Sequence, residues 1–197
     1  MWEERYKTPD YLFGTEPADF LKTHEALLTS GQTALSVADG EGRNSVFLAE
    51  KGLSVTALEY APSAIAKAKA LATKRGVQVE FYEVDVLSHA FEETYDMVLG
   101  IFIQFLGPAE RSLVFERMKG AVNPQGLMML HGYTPEQITF KTGGPPQAEN
   151  MYTEELLKDA FSDWDILTCR SYEAEISEGA GHAGRSALID FIARKPD

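Results

Sequence analysis

Two glycines and two acidic residues stand where they could together hold a nucleoside-containing ligand. Gly40 and Gly42 follow a short apolar run and precede a helical pattern, which lets the backbone approach a ligand and present free N–H groups. Glu59 ends the next β-rich run, where its carboxylate could accept hydrogen bonds from both hydroxyls of a ribose. Asp85 ends a third run, where it could face an adenine amino group. The sequence therefore predicts a nucleoside site at one edge of a sheet.

The elements that must position these residues alternate along the chain. Runs that predict strands cover residues 33–38, 53–58, 77–86, 95–105 and 127–133. Patterns that predict helices cover residues 19–28, 44–51, 62–75, 108–122 and 153–161, with a long loop at 139–150. Two more β-rich runs, 164–176 and 185–194, are joined by a short Gly-rich loop and should pair antiparallel. This order predicts an α/β fold with a mostly parallel seven-stranded sheet, helices on both faces and a C-terminal antiparallel strand.

Composition excludes several classes of partner. The chain of 197 residues suits one domain, and its 18 Lys+Arg against 30 Asp+Glu give a net charge of −12. That charge disfavours binding to nucleic acids or to anionic membranes. Cys169 is the only cysteine, the four histidines show no metal-ligand spacing, and no leader or spanning run is evident. We expect a soluble, cytoplasmic protein that binds a small molecule and no metal.

Missing motifs narrow the ligand further. Ser45 stands three residues beyond Gly42, so the third glycine of a dinucleotide fingerprint is absent, and no Tyr-x-x-x-Lys occurs. These absences count against an NAD(P)-dependent oxidoreductase, which stays as an alternative. The chain also lacks the Gly-Lys pair of a P-loop and the G-x-S-x-G of a nucleophile elbow.

Over nearly its whole length, the sequence resembles the class I S-adenosylmethionine-dependent methyltransferases of the tellurite-resistance and thiopurine methyltransferase-like branch. The segments that carry the resemblance are WEERY, YLFGTEP, GEGRNSVFLAEKG, VTALEYAPSAI, VDV, YDMVL, NPQG, GGPPQ and HAGRSALIDFIARKP. It implies a Rossmann-like methyltransferase fold over 1–197, with an N-terminal lid and helix segment at 1–30 and a core at 31–197. It also implies S-adenosylmethionine as the methyl donor, a small-molecule acceptor, and a monomer or homodimer.

The resemblance also assigns roles to residues. It implies that Gly40 and Gly42 line the methionine moiety and ribose of the donor, that Glu59 holds the ribose hydroxyls, and that Asp85 faces adenine. The whole predicted donor-binding set is Ala38, Asp39, Gly40, Gly42, Arg43, Asn44, Glu59, Tyr60, Asp85, Val86, Gly100, Ile101 and Phe102. Of these, Gly100, Ile101 and Phe102 should border both the transferred methyl group and the acceptor.

Two positions depart from the family's pattern. Ser36 stands where the family usually has an acid, and Ala38 stands where it usually has glycine. Loss of the acid would weaken recognition of the donor's amino group, and Asp39 or Glu41 could compensate for it. The departures keep open a second alternative, a non-enzymatic protein that only binds the donor.

The acceptor is less defined by sequence. A soft thiolate, selenolate or metalloid anion needs no strong base once it is deprotonated, so a soft nucleophile is favoured. His131, at the end of the fifth strand, and His182 and Arg185, beside the Gly-rich loop, are the candidate catalytic residues. Residues that we expect to shape the acceptor pocket are Trp2, Tyr6, Tyr11 and Phe13 in an N-terminal lid, Arg43, and the loop 143–146.

Overall fold

Seven strands form one sheet in the computed structural model, which describes residues 2–179 and 181–197. In chain order the strands are β1 (Thr33–Val37), β2 (Ser54–Glu59), β3 (Glu80–Glu83), β4 (Tyr95–Ile101), β5 (Val122–Tyr133), β6 (Asp165–Ser177) and β7 (Ala183–Arg194). The helices are α1 (Trp2–Tyr6), α2 (Asp19–Thr23), α3 (Arg43–Glu50), α4 (Pro62–Arg75), α5 (Pro108–Gly120), α6 (Gln137–Phe140) and α7 (Glu154–Ala160). Two 3-10 turns cover Glu25–Leu27 and Ala148–Asn150.

The strand order, β3-β2-β1-β4-β5-β7-β6, sets the position of the site. The first five strands pair in parallel, whereas β7 is antiparallel to both β5 and β6. The predicted fold class is thereby confirmed. Successive strands progress from β1 towards one edge and from β4 towards the other, so the crevice between the carboxyl ends of β1 and β4 is open to a ligand.

Helices cover both faces of the sheet because strand side chains alternate between two apolar cores. Val98 packs with residues of α5 and α7 on one face. Its neighbours Met97 and Leu99 pack with residues of α2 and α3 on the other. Strands that are buried on both faces read as continuous apolar runs, which is why the sequence identifies them.

Element boundaries differ from the prediction where an element is short or irregular. The helix predicted over 19–28 ends at Thr23 and continues as a separate 3-10 turn. Strand β3 is shorter than the run 77–86 because it lies at the sheet edge and pairs only with β2. Strand β5 begins at Val122, five residues early, across a pairing irregularity that includes Gln125 at φ 63°. The loop 139–150 contains the end of α6 and a 3-10 turn.

None of the helices within residues 2–179 and 181–197 is long and apolar enough to cross a membrane.

Candidate functional site

The turn between β1 and α3 takes three left-handed backbone conformations in five residues. Ala38, Gly40 and Gly42 have φ values of 51°, 65° and 87°. A Cβ on Gly42 would lie 2.6 Å from the Cβ of Ala68, so this glycine is required for α3 to pack against α4. A Cβ on Gly40 would lie 3.1 Å from the hydroxyl oxygen of Tyr6, which covers the turn.

Ala38 carries backbone strain that the family's glycine would avoid. A non-glycine residue in the left-handed region costs about 1 kcal/mol or more, although glycine also makes the unfolded chain more flexible. We expect Ala38→Gly to raise the free energy of unfolding by roughly 0.5 kcal/mol, measured by urea denaturation. A lower stability would mean that packing of the Ala38 methyl group against the core outweighs the strain.

A first cavity of about 280 Å³ opens at the carboxyl ends of β1, β2 and β4. It is lined by Trp2, Tyr6, Phe13, Ala38, Asp39, Gly40, Glu41, Arg43, Asn44, Glu59, Tyr60, Val84, Asp85, Val86, Ile101, Phe102, Phe105 and His182. The structure thus brings together every predicted donor-binding residue except Gly42 and Gly100.

Those two glycines serve packing instead. Gly42 contacts α4, as described above. A Cβ on Gly100 would lie 2.8 Å from the Cδ1 atom of Ile103 and 3.0 Å from side-chain carbons of Leu130 and Met118. Neither glycine lines the first cavity, and at each position another part of the core approaches the backbone closely, so their assignment to the donor site stays a prediction.

Glu59 holds the glycine turn in shape from the end of β2. Its Oε2 atom accepts a hydrogen bond from the backbone N–H of Gly40 at 2.8 Å. Its Oε1 atom accepts from the backbone N–H groups of Tyr60 and Ala61, both at 2.9 Å. Burial raises the pKa of this carboxyl, and the three N–H groups oppose that rise.

Asp39 is a second buried carboxylate beside the same cavity. Its Oδ1 atom accepts from the hydroxyl of Ser36 at 2.7 Å, and its Oδ2 atom accepts from the hydroxyl of Ser45 at 2.5 Å. Burial raises its pKa to about 6, against the lowering effect of the two serines. No lysine, arginine or histidine among residues 2–179 and 181–197 forms an ion pair with it, so its charge has no cationic partner in the protein.

The N-terminal segment closes over the first cavity and is anchored by Glu41. The Oε2 atom of Glu41 accepts from the backbone N–H of Leu12 at 2.8 Å, and its Oε1 atom is 2.7 Å from the Nζ atom of Lys67. Trp2 stacks on Tyr6 with ring centroids 5.8 Å apart. Tyr11 lies outside both cavities and donates to the carbonyl of Lys67, which corrects the expectation that it shapes the pocket.

A second cavity of about 330 Å³ adjoins the first and shares five residues with it. The shared residues are Trp2, Phe13, Phe102, Phe105 and His182. The remaining lining consists of Arg5, Gln104, Tyr133, Gly143, Gly144, Pro145, Pro146, Gln147, Asn150 and Gly181. As the sequence suggests, loop 143–146 forms part of this wall.

His182 lies at the junction of the two cavities inside an aromatic enclosure. Its ring centroid is 4.3 Å from that of Phe13, 4.1 Å from that of Phe102 and 5.7 Å from that of Tyr133. Its Nδ1 atom lies 3.8 Å from the Oε2 atom of Glu178, beyond ordinary hydrogen-bond distance. Burial lowers the pKa of His182, so the neutral imidazole predominates at neutral pH.

Glu178 is a functional candidate that sequence reasoning missed. Arg43 donates to its Oε2 atom at 2.8 Å, and the backbone N–H of Asp19 donates to its Oε1 atom at 3.1 Å. Burial alone would raise the pKa of Glu178, but the Arg43 guanidinium and the backbone N–H of Asp19 hold it below its ordinary value. The one local signal was its position in the Gly-rich loop, four residues before His182. Arg43 is committed to this ion pair rather than free to attract an anion.

Two further residues of the second cavity also carried no sequence signal. Gln104 donates from its amide to the carbonyl of Tyr133 at 2.7 Å and accepts from the N–H of Tyr133 at 2.7 Å. The hydroxyl of Tyr133 is buried and has no hydrogen-bond partner within the described part of the chain.

The other two predicted catalytic residues do not reach either cavity. The Nδ1 atom of His131 is 2.8 Å from the Oδ1 atom of Asp190, and its ring is stacked on Phe20. Arg185 is exposed on β7 and pairs with Glu173. Each side chain contacts a partner outside the cavities, so the geometry gives their predicted catalytic roles no support.

A methyltransferase-domain family matches residues 34–126. The probable S-adenosyl-L-methionine-dependent methyltransferase TehB of Haemophilus influenzae is 22% identical over 86% of this chain and 59% of its own length. Its crystal structure superposes with a TM-score of 0.72, covering 98% of this chain and 65% of that chain at 20% identity.

Hemagglutinin 1 of Eikenella corrodens is 25% identical over 93% of this chain and 65% of its own length. The N-methyltransferase NodS of Bradyrhizobium japonicum, in complex with S-adenosyl-L-homocysteine, has a TM-score of 0.73 at 14% identity and covers 100% of this chain and 97% of that chain. This chain spans 48% to 65% of the length of the curated relatives that it matches.

Proposed function

We propose that the chain is a class I S-adenosylmethionine-dependent methyltransferase of the TehB-like branch and that it transfers the donor's methyl group to a small, soft nucleophile. The observation that supports this proposal is the pair of adjoining cavities, which share a wall of Phe13, Phe102 and His182. The first cavity suits the donor and the second an acceptor. The methyl group would be transferred at the junction of the two cavities, beside the residues that they share.

The first cavity fits the donor in its chemistry. Glu59 ends β2 beside a turn whose backbone can approach a ribose, and Asp85 and Val86 lie farther along the same wall. Asp39 supplies a carboxylate without a cationic partner in the protein, which suits a ligand that carries positive charge. Bound S-adenosylmethionine would supply a methyl group activated by its sulfonium.

The chain's own residues would align the reactants and exclude water. Methyl transfer is an in-line displacement that needs the nucleophile and the methyl carbon about 3 Å apart. Trp2, Tyr6 and Phe13 cover the cavities and reduce access of water to the sulfonium. The neutral imidazole of His182, at the junction, would accept the proton of an acceptor that arrives as a thiol or an acid.

The second cavity supports a soft acceptor. Five aromatic side chains and His182 line it together with glycines, prolines and side-chain amides, and Arg5 supplies the one formally charged side chain among the described residues that line it. A thiol, or a selenium or tellurium oxyanion, would be attracted by Arg5 and desolvated by the aromatic rings. The lone cysteine suits a reducing compartment such as the cytoplasm, and the net charge of −12 disfavours a nucleic-acid or anionic-membrane partner.

The proposal is tested by calorimetric titration with S-adenosylmethionine and S-adenosylhomocysteine, followed by transfer assays. The assays use an aryl thiol, selenite and tellurite as acceptors and detect S-adenosylhomocysteine formation. Saturable binding and transfer to at least one acceptor are expected. Binding without transfer to any acceptor would favour the non-enzymatic alternative, and binding of NAD(H) in place of the donor would favour an oxidoreductase.

A further inference from the structure

We propose that Asp39, held by Ser36 and Ser45, binds the α-ammonium group of the donor's methionine moiety in place of the acid that Ser36 replaces. The inference rests on the proposed donor binding and assigns one contact within it. From the sequence alone, either Asp39 or Glu41 in the glycine turn could make this contact.

The first step is that Asp39 is buried without a compensating cation. Its residue is 8% exposed, and both carboxylate oxygens accept from serine hydroxyls rather than from a charged group. A buried carboxylate is costly unless it is paired, and this one lines the first cavity. A cation supplied by a ligand would complete the site.

The second step is that the neighbouring acids are already committed. Glu41 uses one oxygen for Lys67 and the other for the N–H of Leu12, so its charge is balanced and it anchors the N-terminal segment. Glu59 accepts three backbone N–H groups that maintain the turn. Asp85 accepts from the N–H of Leu87 and lies with the residues that follow β3.

The third step is the position of the two serines. Ser36 lies one residue before the end of β1, where the resemblance places the family's acid, and its hydroxyl donates to Asp39 at 2.7 Å. The Asp39 carboxylate therefore lies next to the place that the missing side chain would occupy. Ser45, on α3, fixes the other oxygen from the opposite side. In this chain the acidic residue therefore stands three residues later in the sequence, yet its carboxylate still lies beside the carboxyl end of β1.

The experiment compares two ligands that differ in the aminocarboxylate end of the molecule, which carries the α-ammonium group. S-adenosylhomocysteine carries the α-ammonium group but no sulfonium, whereas 5′-methylthioadenosine lacks both. We expect Asp39→Asn to raise the calorimetric Kd for S-adenosylhomocysteine by about 10- to 100-fold, the usual loss of a charged hydrogen bond. The Kd for 5′-methylthioadenosine should change by less than about twofold, because this ligand has no ammonium group and the substitution leaves the contacts with its nucleoside part in place.

A double variant, Ser36→Asp with Asp39→Ser, provides the matched control because it returns the acid to the family's position. It should recover most of the affinity for S-adenosylhomocysteine. Asp39→Ser alone should repeat the ligand-selective loss and serves as the second variant if Asp39→Asn does not fold. Equal affinities of wild type and variants for S-adenosylhomocysteine, or equal losses for both ligands, would overturn this assignment. Failure of the wild type to bind either ligand would instead overturn the proposed function.

Discussion

Replacing His182 with glutamine is expected to lower methyl transfer to a protonated acceptor by roughly 100-fold, the usual contribution of a positioned general base. The imidazole lies at the junction of the two cavities, and burial keeps it neutral by lowering its pKa. Glutamine retains a planar polar side chain among the same aromatic rings but cannot take a proton. Affinity for the donor should change far less than the rate does.

A comparison of two thiol acceptors with different pKa values provides the control for the proposed role of His182 as a base. A thiol already ionised at the assay pH needs no base, so the variant should transfer methyl to it at nearly the wild-type rate. With a protonated thiol, the wild-type rate should fall only below the ordinary pKa of histidine, because protonation of the buried imidazole is disfavoured. Initial rates over pH 5 to about 8 measure this dependence. Equal losses for both thiols would show that His182 only positions the acceptor.

Replacing Glu59 with alanine is expected to raise the Kd for S-adenosylmethionine by at least about 100-fold and to lower the free energy of unfolding by several kcal/mol. The variant loses the predicted ribose contact. It also leaves the backbone N–H groups of Gly40, Tyr60 and Ala61 without their acceptor, at about 1–3 kcal/mol for each buried group. Calorimetry and urea denaturation measure the two effects.

Glu59→Gln separates the two roles. The amide oxygen still accepts from part of the turn, so stability should recover most of its loss, while donor affinity stays well below that of the wild type. A second control is Glu173→Gln, which alters an exposed ion pair with Arg185 outside both cavity linings and should change neither property appreciably. Donor affinity in Glu59→Ala equal to that of the wild type would remove Glu59 from the binding site.

The parts of the fold that sequence could predict are those that local patterns determine. Buried strands produce apolar runs, and Pro62 and Gly76 bound α4, so the sheet and this helix were recognised. The glycine turn was also recognised, because its spacing after a strand is itself the signal. The position of a glycine in the sequence does not show whether its backbone faces a ligand or a packed neighbour, and the close neighbours of Gly42 and Gly100 became visible only in the folded chain.

Side-chain direction and contacts between residues distant in sequence are what the sequence alone could not show. His131 ends a strand at the correct edge, but the carboxylate of Asp190 on the adjacent strand β7 holds its ring away from the cavities. Arg43 and Glu178 are separated by 135 residues, so no local pattern could pair them. Ser36 was recognised as a departure, whereas its hydrogen bond to Asp39 became visible only once the turn was folded.

The N-terminal segment described above has a kinetic consequence. Trp2 and Phe13 line both cavities, so under the proposed function we expect donor and acceptor to lie beneath one cover rather than two. We expect that, while the contacts of Glu41 with Leu12 and Lys67 hold this cover in place, neither cavity exchanges its contents independently. Opening of the segment would then set a common upper limit on the rate at which both products are released.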